Sequence, residues 1–327
     1  MTRVIVSAPA RLHLGDIDPF GIGRLGYAPI LAIDRPRTVV EASKSDFLAV
    51  SGLETADARV YAKRTLEKFN LPGVKVRVLD SSLRHFGFGS TTQLSLSIGK
   101  AITLAYGLDV GIVDLAKALR RPSAGGLHAF QKGGFIVSGG FKIKRGEEDN
   151  MKHEALIPPL IFRVDFPEKW RFLIVNPFRA PASPDGEAEE EKLKKLQVRR
   201  PPTQLIREAY FVLMSKLIPS VIEEDAQVFG EALTKIQLLV GRIYKPVQGN
   251  VFNPASKWVI QILRRNGALG IGQSSWGPTV YAFVENEEKA VTLENAIRDA
   301  IADRAEMFIA KADNSGVYAT ISDGPSS

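Results

Sequence analysis

A glycine-rich stretch that runs into a long apolar segment, residues 87–102, constrains the fold of this chain more than any other feature. Gly87 and Gly89 allow backbone angles and close approaches that a side chain would prevent. Hydroxyl residues occupy positions 90–92, and the apolar run behind them contains no proline. This pattern predicts a helix whose first turn spans residues 90–93.

The N-terminal end of that helix is a candidate binding site for phosphate. The first amide groups of a helix have no partner within it, and the helix dipole adds partial positive charge there. We therefore expect exposed main-chain NH groups in residues 86–93 to bind a diphosphate, with the Ser90, Thr91 and Thr92 hydroxyls free to bind oxygens or a magnesium ion. An ordinary loop capped by Ser or Thr has the same spacing.

Composition narrows the class of protein. The 327 residues are 45% hydrophobic and 24% charged, as expected of one large or two smaller globular domains. The chain has no cysteine, which excludes disulfides, zinc–thiolate sites and thiol nucleophiles, and a cytoplasmic location is expected. No apolar run reaches the ~18 residues of a membrane span. The net charge of +7 suits a phosphorylated small substrate, and no dense basic tract indicates nucleic acid as a partner.

Reactive side chains gather near the start of the chain. Residues 3–7 alternate β-branched residues with others and are predicted to form a strand. The segment 8–19 is expected to be a loop, and it contains Arg11, His13, Asp16 and Asp18. Arg24 follows within a second group of glycines.

Residues 180–202 are the predicted domain boundary. An acidic run at 187–191 and a basic run at 192–195 offer little apolar surface, so we expect a mobile linker, a lid over a charged ligand, or a solvated face. The boundary separates a phosphate-binding domain, residues 1–179, from a C-terminal domain, residues 203–327. The elements of the latter predict helices on one face of an antiparallel sheet.

Glycine motifs near the start, near residue 90 and near residue 272 occur in a fixed order. The segments concerned are 9–15, 23–24, 87–94, 133–137 and 272–281. Together they resemble the GHMP kinase superfamily, and within it the archaeal-type beta-ribofuranosylaminobenzene 5'-phosphate synthases. The pair Thr92-Gln93 and the run Gln-Ser-Ser-Trp-Gly-Pro at 273–278 are more specific than the glycine loop and favour the synthases over the kinases.

The resemblance implies an α+β, GHMP-kinase-like fold. Its N-terminal domain would be like ribosomal S5 domain 2, its C-terminal domain would be ferredoxin-like, and the site would lie between them. The implied reaction joins phosphoribosyl pyrophosphate to 4-aminobenzoate, or a related 4-substituted benzoate, with loss of carbon dioxide and pyrophosphate, in methanopterin-type cofactor biosynthesis. A phosphorylated small molecule and an aromatic carboxylate would be the substrates, Mg2+ the cofactor, and a homodimer is expected.

Motif positions assign roles to residues as hypotheses. The candidate catalytic residues are Arg11, His13, Asp16 and Arg24. The candidate ligand-binding residues are Gly87, Phe88, Gly89, Ser90, Thr91, Thr92, Gln93, Gly272, Gln273, Ser274 and Ser275. The candidate magnesium ligands are Asp16, Ser90 and Thr91. Arginine would stabilise the leaving diphosphate, Asp16 or Asp18 would hold the metal or face the sugar cation, and the ring carboxylate would bind Arg84, His85 or His13.

Two other functions fit parts of the sequence. An ATP-dependent small-molecule kinase of the same fold is the first, although residues 126–130 lack the aspartate that related kinases use as a base. A non-catalytic nucleotide- or RNA-binding protein is the second, and its binding would fall steeply with salt.

Overall fold

The structure is a computed structural model that describes residues 2–82, 86–121, 123–142, 157–178, 186–198 and 202–323. Its strands are β1 Thr2–His13, β2 Leu25–Lys44, β3 Leu48–Gly52, β4 Val74–Asp80, β5 Phe135–Phe141, β6 Leu160–Val164, β7 Arg171–Pro177, β8 Gly270–Gln273, β9 Val280–Val284, β10 Ala305–Ala310 and β11 Tyr318–Asp323.

The helices are α1 Thr55–Phe69, α2 Ser90–Ala105, α3 Ile112–Ala118, α4 Ala124–Lys132, α5 Gly186–Val198, α6 Thr203–Val212, α7 Ile218–Ile222, α8 Ala226–Gln248, α9 Lys257–Arg265 and α10 Glu287–Ile301. A π-helical turn, Leu213–Leu217, joins α6 to α7, and a 3-10 turn, Ala302–Arg304, follows α10. None of the helices in the described ranges combines the length and hydrophobicity needed to cross a membrane.

The first sheet is organised around β1 and β2. These two strands pair antiparallel from Arg3 opposite Ser43 to His13 opposite Ile30. Strand β11 pairs with the outer edge of β1, β4 and then β3 extend the sheet beyond β2, and β5 and β6 continue from the other half of β2. Helix α2 packs on β1 and β2. The predicted helix after the glycine loop is therefore present and lies against the centre of this sheet.

Strand β1 is longer than the sequence predicts, which changes where two candidate residues lie. The expected strand covers residues 3–7, whereas the observed strand continues to His13. Residues 10–13 lie opposite the apolar residues 30–33 of β2 in the antiparallel ladder, which fixes their backbone in an extended conformation. Arg11 and His13 are consequently fixed on a strand, and the expectation that they lie in a loop is wrong.

The second sheet has the order β10-β7-β9-β8, and its pairings are antiparallel. Along the chain its elements run strand, helices, strand, strand, helix, strand, which is the ferredoxin-like arrangement. The predicted ferredoxin-like fold is confirmed. The sheets cross the predicted boundaries, however, since β7 precedes residue 180 but belongs to the second sheet, and β11 returns to the first sheet.

The charged segment contains a helix that packs on the protein. Residues 186–198 form α5, and the Leu196 side chain is completely buried. The expectation of a segment without apolar surface to bury is wrong for this part, because Leu193 and Leu196 lie three positions apart and therefore on one face of the helix.

A cluster of aromatic rings joins the two sheets. Phe166 lies 5.1 Å from the ring of Trp170 and 5.2 Å from that of Phe229, and it also contacts Phe135 of the first sheet and Phe283 of the second. Only 1% of Phe166 is exposed. The relative position of the two sheets, and of the residues at their junction, therefore depends on this packing.

We expect Phe166→Ala to lower the free energy of unfolding by about 3–5 kcal/mol, because it leaves a cavity among buried rings. Urea titration followed by circular dichroism measures this change. Phe211→Ala is the matched control, since that ring is 64% exposed. Equal losses in the two variants would contradict the assigned role of the cluster.

Candidate active site

The end of β1 lies directly against the glycine loop. The main-chain NH of Arg11 donates to the Phe88 carbonyl at 3.0 Å, and its Nη1 donates to the Gly87 carbonyl at 2.8 Å. Burial lowers the pKa of Arg11 to about 10, against the opposing effect of Glu189, so the guanidinium stays charged at neutral pH. Its Nε is buried and has no hydrogen-bond partner among the described residues.

The third glycine motif meets the first two at the same point. Ser274 donates through Oγ to the Gly87 carbonyl at 2.6 Å, and the same oxygen accepts a hydrogen bond from the His13 NH at 2.9 Å. A Cβ on Gly87 would lie 2.3 Å from the Ser274 carbonyl oxygen, and the φ of Gly87 is +95°. Three segments that are far apart in sequence are thus held together at one glycine.

The start of α2 offers fewer free main-chain amides than the sequence predicts. The amides of Thr92 and Gln93 both donate to the Gly89 carbonyl at 3.1 Å, and the Gln93 side chain donates to the Gly126 carbonyl. The main-chain amides of these two residues are therefore not available to a ligand, contrary to the expectation for the full stretch 86–93. Within the described ranges, the amides of residues 87–91 donate to no other protein group.

A cavity of about 100 Å³ lies beside this junction. Its lining includes two aromatic rings, aliphatic side chains and three ionisable groups: Tyr244, Trp276, Leu193, Val240, His13, Asp16 and Glu189. Tyr244 and Trp276 stand at right angles with ring centroids 5.0 Å apart. The Trp276 indole NH donates to Glu189 Oε1 at 2.9 Å, so α5 covers part of the cavity. Such a lining suits a small flat ligand with polar ends.

Asp16 is the ionisable group with the most altered environment. Tyr244 donates its hydroxyl hydrogen to Asp16 Oδ2 at 2.5 Å, while Oδ1 is buried without a partner in the described structure. Burial raises the pKa of Asp16 to about 7, with smaller contributions from Asp18 and Glu189 in the same direction, and the Tyr244 hydrogen bond opposes them. A carboxyl group with this pKa exchanges protons at neutral pH.

His13 is held neutral at the cavity wall. Burial and the nearby charge of Arg11 lower the pKa of His13 to about 3. Its Nδ1 is buried and makes no hydrogen bond to any described residue. Arg84 and His85, the other candidates for binding the ring carboxylate, lie outside the described residues.

Arg24 and Asp18 have structural contacts away from the cavity lining. Asp18 accepts hydrogen bonds from the main-chain NH groups of residues 22, 23 and 24 at 3.0, 2.7 and 3.1 Å. Arg24 donates to the carbonyl groups of Gly139 and Gly140. These contacts fix the loop before β2 against β5, and a catalytic role for Arg24 stays a prediction.

The third motif forms a second wall of the cavity. Gln273 and Ser275 line it, and Gln273 Nε2 donates to Gln248 Oε1 at 2.9 Å. Gly272 serves packing, because a Cβ there would lie 2.5 Å from the Tyr281 hydroxyl. The sequence did not predict Tyr244 and Glu189 as site residues, because neither belongs to a motif. Trp276 lies within the third motif but was not predicted to be part of the site.

The predicted magnesium ligands come from two parts of the chain, and their binding of a common ion stays a prediction. Asp16 lines the cavity, whereas Ser90 and Thr91 begin α2 and are not part of that lining. Among the residues that the structure describes, no three His, Asp or Glu side chains form a metal-binding group. Hydroxyl groups at a helix N-terminus do fit an ion that arrives with phosphate oxygens, since magnesium keeps few protein ligands in such sites.

Comparisons with known proteins agree with this architecture. Residues 217–303 match the family described as GHMP kinases C terminal. The beta-ribofuranosylphenol 5'-phosphate synthase of Methanocaldococcus jannaschii is 30% identical, covering 96% of this chain and 99% of that protein. A protein of the same name from Archaeoglobus fulgidus is also 30% identical, covering 94% and 97%. A mevalonate kinase from L. major in complex with R-mevalonate has the same fold, with a TM-score of 0.71, 12% identity and coverage of 95% and 96%.

We expect Gly87→Ala to lower the free energy of unfolding by about 1–3 kcal/mol and to weaken binding of inorganic pyrophosphate, because the methyl group separates Ser274 from the loop. Urea titration and calorimetry measure the two effects. Gly107→Ala is the matched control: its φ is +74° and its Cβ would meet no atom within 4 Å. If Gly107→Ala lowers stability and pyrophosphate binding as much as Gly87→Ala does, backbone strain alone explains the losses, and the assigned role of the Ser274 contact is wrong.

We expect Asp16→Asn to stabilise the protein above pH 7 and to have little effect near pH 4. The folded protein holds the Asp16 proton up to about pH 7, whereas the unfolded chain releases it near 3.8, so wild-type stability falls as the pH rises between these values. The difference between the folded and unfolded pKa values of Asp16 corresponds to at most ~4 kcal/mol in the free energy of unfolding. Urea titrations of both proteins at pH 4.5, 6 and 8 measure this change in stability. A stabilisation by Asp16→Asn that is the same at all three pH values would contradict the prediction.

Proposed function

The chain belongs to the family of beta-ribofuranosylphenol 5'-phosphate synthases, and we propose that it transfers the phosphoribosyl group of phosphoribosyl pyrophosphate to the ring of a 4-substituted benzoate. A bond forms between ribose C1 and the ring carbon that bears the carboxylate. The bond from C1 to the diphosphate breaks with its electron pair on oxygen, and carbon dioxide then leaves the ring.

One observation carries this proposal: the contact of three motifs at Gly87 brings the glycine loop before α2 next to an aromatic cavity. The Gly87 carbonyl accepts hydrogen bonds from Arg11 and from Ser274 Oγ, beside the amides of residues 87–91, which have no protein acceptor among the described residues. Ser274 Oγ in turn accepts a hydrogen bond from the NH of His13, which lines the cavity. A reaction between a sugar diphosphate and a flat ring requires these two kinds of site in contact.

The diphosphate end supplies electrostatic stabilisation. Negative charge grows on the leaving group as the bond to C1 breaks, and fixed amide dipoles and a guanidinium reduce that barrier without reorganising. The bond to the Gly87 carbonyl holds Arg11 in place, and its Nε, which has no partner among the described residues, would bind a ligand oxygen. His13, being neutral, can bind the ring carboxylate only as a hydrogen-bond donor.

The cavity end supports a benzoate as the acceptor. The cavity of about 100 Å³ is lined by the rings of Trp276 and Tyr244, which present aromatic surface to a flat ligand. The relatives are named for a phenol product. An acceptor that loses its carboxylate and leaves a phenol carries a ring hydroxyl, so we propose 4-hydroxybenzoate as the preferred acceptor, in place of 4-aminobenzoate.

Magnesium is proposed to bind with the diphosphate oxygens. The Ser90 and Thr91 hydroxyls would complete its shell at the start of α2. Bound there, the ion would neutralise part of the charge on the leaving group. Asp16 is not assigned to this ion.

The test is to incubate the protein with phosphoribosyl pyrophosphate, carboxyl-labelled 4-hydroxybenzoate and magnesium, and to measure the products. We expect labelled carbon dioxide and pyrophosphate to be released in equal amounts. We expect Arg11→Ala to lower kcat/KM roughly 100-fold, as loss of one preorganised charge does. Arg298→Ala, an exposed arginine on α10, is the matched control.

Two outcomes would contradict the proposal. Release of neither product would reject the reaction. Thermal protection by ATP and not by phosphoribosyl pyrophosphate would indicate the kinase alternative, since only a ligand that binds the folded state raises its stability.

A further inference from the structure

We propose that helix α5 sets the affinity of the cavity for its aromatic acceptor, because Glu189 and Lys192 hold the Trp276 ring in place as one of the cavity walls. In this arrangement Lys192 is a positioning residue, and Glu189 both positions the ring and lines the cavity. The inference rests on the proposed function and adds to it the element on which acceptor binding depends.

The charged run at residues 187–195 forms one face of α5 that packs on the protein. The change from acidic to basic residues falls in the middle of the helix. Its inner face consists of Glu189, Lys192, Leu193 and Leu196, which follow the spacing i, i+3, i+4, i+7 of a helix with one packed side. The two charged members are therefore neighbours on the side of the helix that faces the protein.

Both charged side chains contact the same aromatic ring. The Trp276 indole NH donates to Glu189 Oε1 at 2.9 Å, and Lys192 Nζ lies 5.3 Å from the centroid of the Trp276 ring. The first contact holds an edge of the indole, and the second places a cation over its π-system. Contacts at an edge and at a face together restrict rotation about both side-chain bonds of the tryptophan.

The main chain around Trp276 is anchored separately from the ring. Asn253 Nδ2 donates to the Trp276 carbonyl at 2.9 Å, and the Gly277 NH donates to the Ser274 carbonyl at 3.0 Å. These bonds fix the loop after β8, but two rotatable bonds still separate that backbone from the indole. The orientation of the ring therefore depends on its side-chain neighbours, which are the two residues of α5 and the Tyr244 ring of α8 at 5.0 Å.

Helix α5 has little apolar contact of its own with the protein. Leu196 is completely buried and Leu193 is partly buried, both in the core cluster that α8 contributes to, whereas Ala188, Lys194 and Lys195 are exposed. An element with so few buried apolar side chains has low local stability. The two polar contacts with the tryptophan therefore hold α5 against the cavity as much as they hold the ring.

The cavity lining connects these contacts to the acceptor. Trp276, Glu189 and Leu193 line the cavity, whereas Lys192 is not among the described residues that do so. Lys192 therefore acts on a ligand through the tryptophan. A flat aromatic ligand gains affinity by packing against aromatic rings, and it gains more when those rings are already held in the bound position.

The experiment measures the Kd of 4-hydroxybenzoate by calorimetry, with pyrophosphate and magnesium present. We expect Lys192→Met, which keeps the length of the side chain but loses its charge, to weaken binding roughly 5-fold. Glu189→Met loses the acceptor of the indole hydrogen bond, and we expect binding to weaken roughly 10-fold. Glu189→Gln still offers an oxygen to the indole NH and should stay within about 3-fold of the wild type.

The same helix supplies matched controls of the same residue types. Glu191 and Lys195 pair with each other at 2.6 Å on the outer face of α5, where their side chains are 67% and 66% exposed. Glu191→Met and Lys195→Met should change the Kd of 4-hydroxybenzoate less than about 2-fold. Binding of pyrophosphate alone should be unchanged in Lys192→Met. In Glu189→Met it should be equal or tighter, because a negative charge that acts on Arg11 is removed.

A double-mutant cycle tests whether Glu189 acts through the indole. Phenylalanine has no NH to donate, so in the Trp276→Phe background we expect Glu189→Met to weaken binding of 4-hydroxybenzoate less than about 2-fold. The same substitution with Trp276 present should weaken it roughly 10-fold. A role of Glu189 in general electrostatics would give equal losses in the two backgrounds.

The outcomes separate this inference from the proposed function. An unchanged Kd in Lys192→Met and Glu189→Met, equal losses in the control variants, or equal losses in the two backgrounds of the cycle would overturn the inference, while wild-type turnover upholds the function. A wild type that binds 4-hydroxybenzoate with the expected differences between variants but releases no carbon dioxide would reject the function and leave the role of α5 standing. A wild type that does not bind 4-hydroxybenzoate would reject both.

Discussion

The carbonyl group of Gly87 is the contact on which the site depends. It accepts hydrogen bonds from Arg11 at the end of β1 and from Ser274 after β8, so it ties the glycine loop to both sheets. Gly87 has a left-handed φ, and a Cβ added to it would lie 2.3 Å from the Ser274 carbonyl oxygen, so no side chain fits there. Any ligand site built from these motifs therefore requires the two sheets to be packed together first.

The packing of the two sheets also holds buried polar atoms that lack hydrogen-bond partners. Arg11 Nε, His13 Nδ1 and Asp16 Oδ1 are all buried without hydrogen-bond partners in the described part of the chain. Such groups lower the stability of a folded protein, and they persist where the surrounding core fixes them. The aromatic cluster around Phe166, which joins the sheets, provides this support. The fold therefore keeps these unpaired polar groups at a cost in stability.

Much of the fold could be predicted, because it is local in origin. The apolar run behind Gly89 gives α2, and the alternation of Val74, Val76 and Val78 gives β4 with those side chains buried. The extension of β1 could not be predicted in this way. Residues 10–13 become a strand only because residues 30–33 lie opposite and supply ladder partners, which is a tertiary effect.

The sequence by itself determined the family and the order of the motifs, and it named Arg11, His13, Asp16 and Ser274 as candidate site residues, since these depend on residue type and spacing. Only the tertiary structure decided which of them share a cavity. It also decided that the main-chain amides of Thr92 and Gln93 donate to the Gly89 carbonyl and that Arg24 donates to carbonyl groups of β5. It also introduced Tyr244 and Glu189, from helices distant in sequence. The physical reason is that desolvation and hydrogen bonding across a cavity depend on neighbours in space, which residue spacing along one chain does not specify.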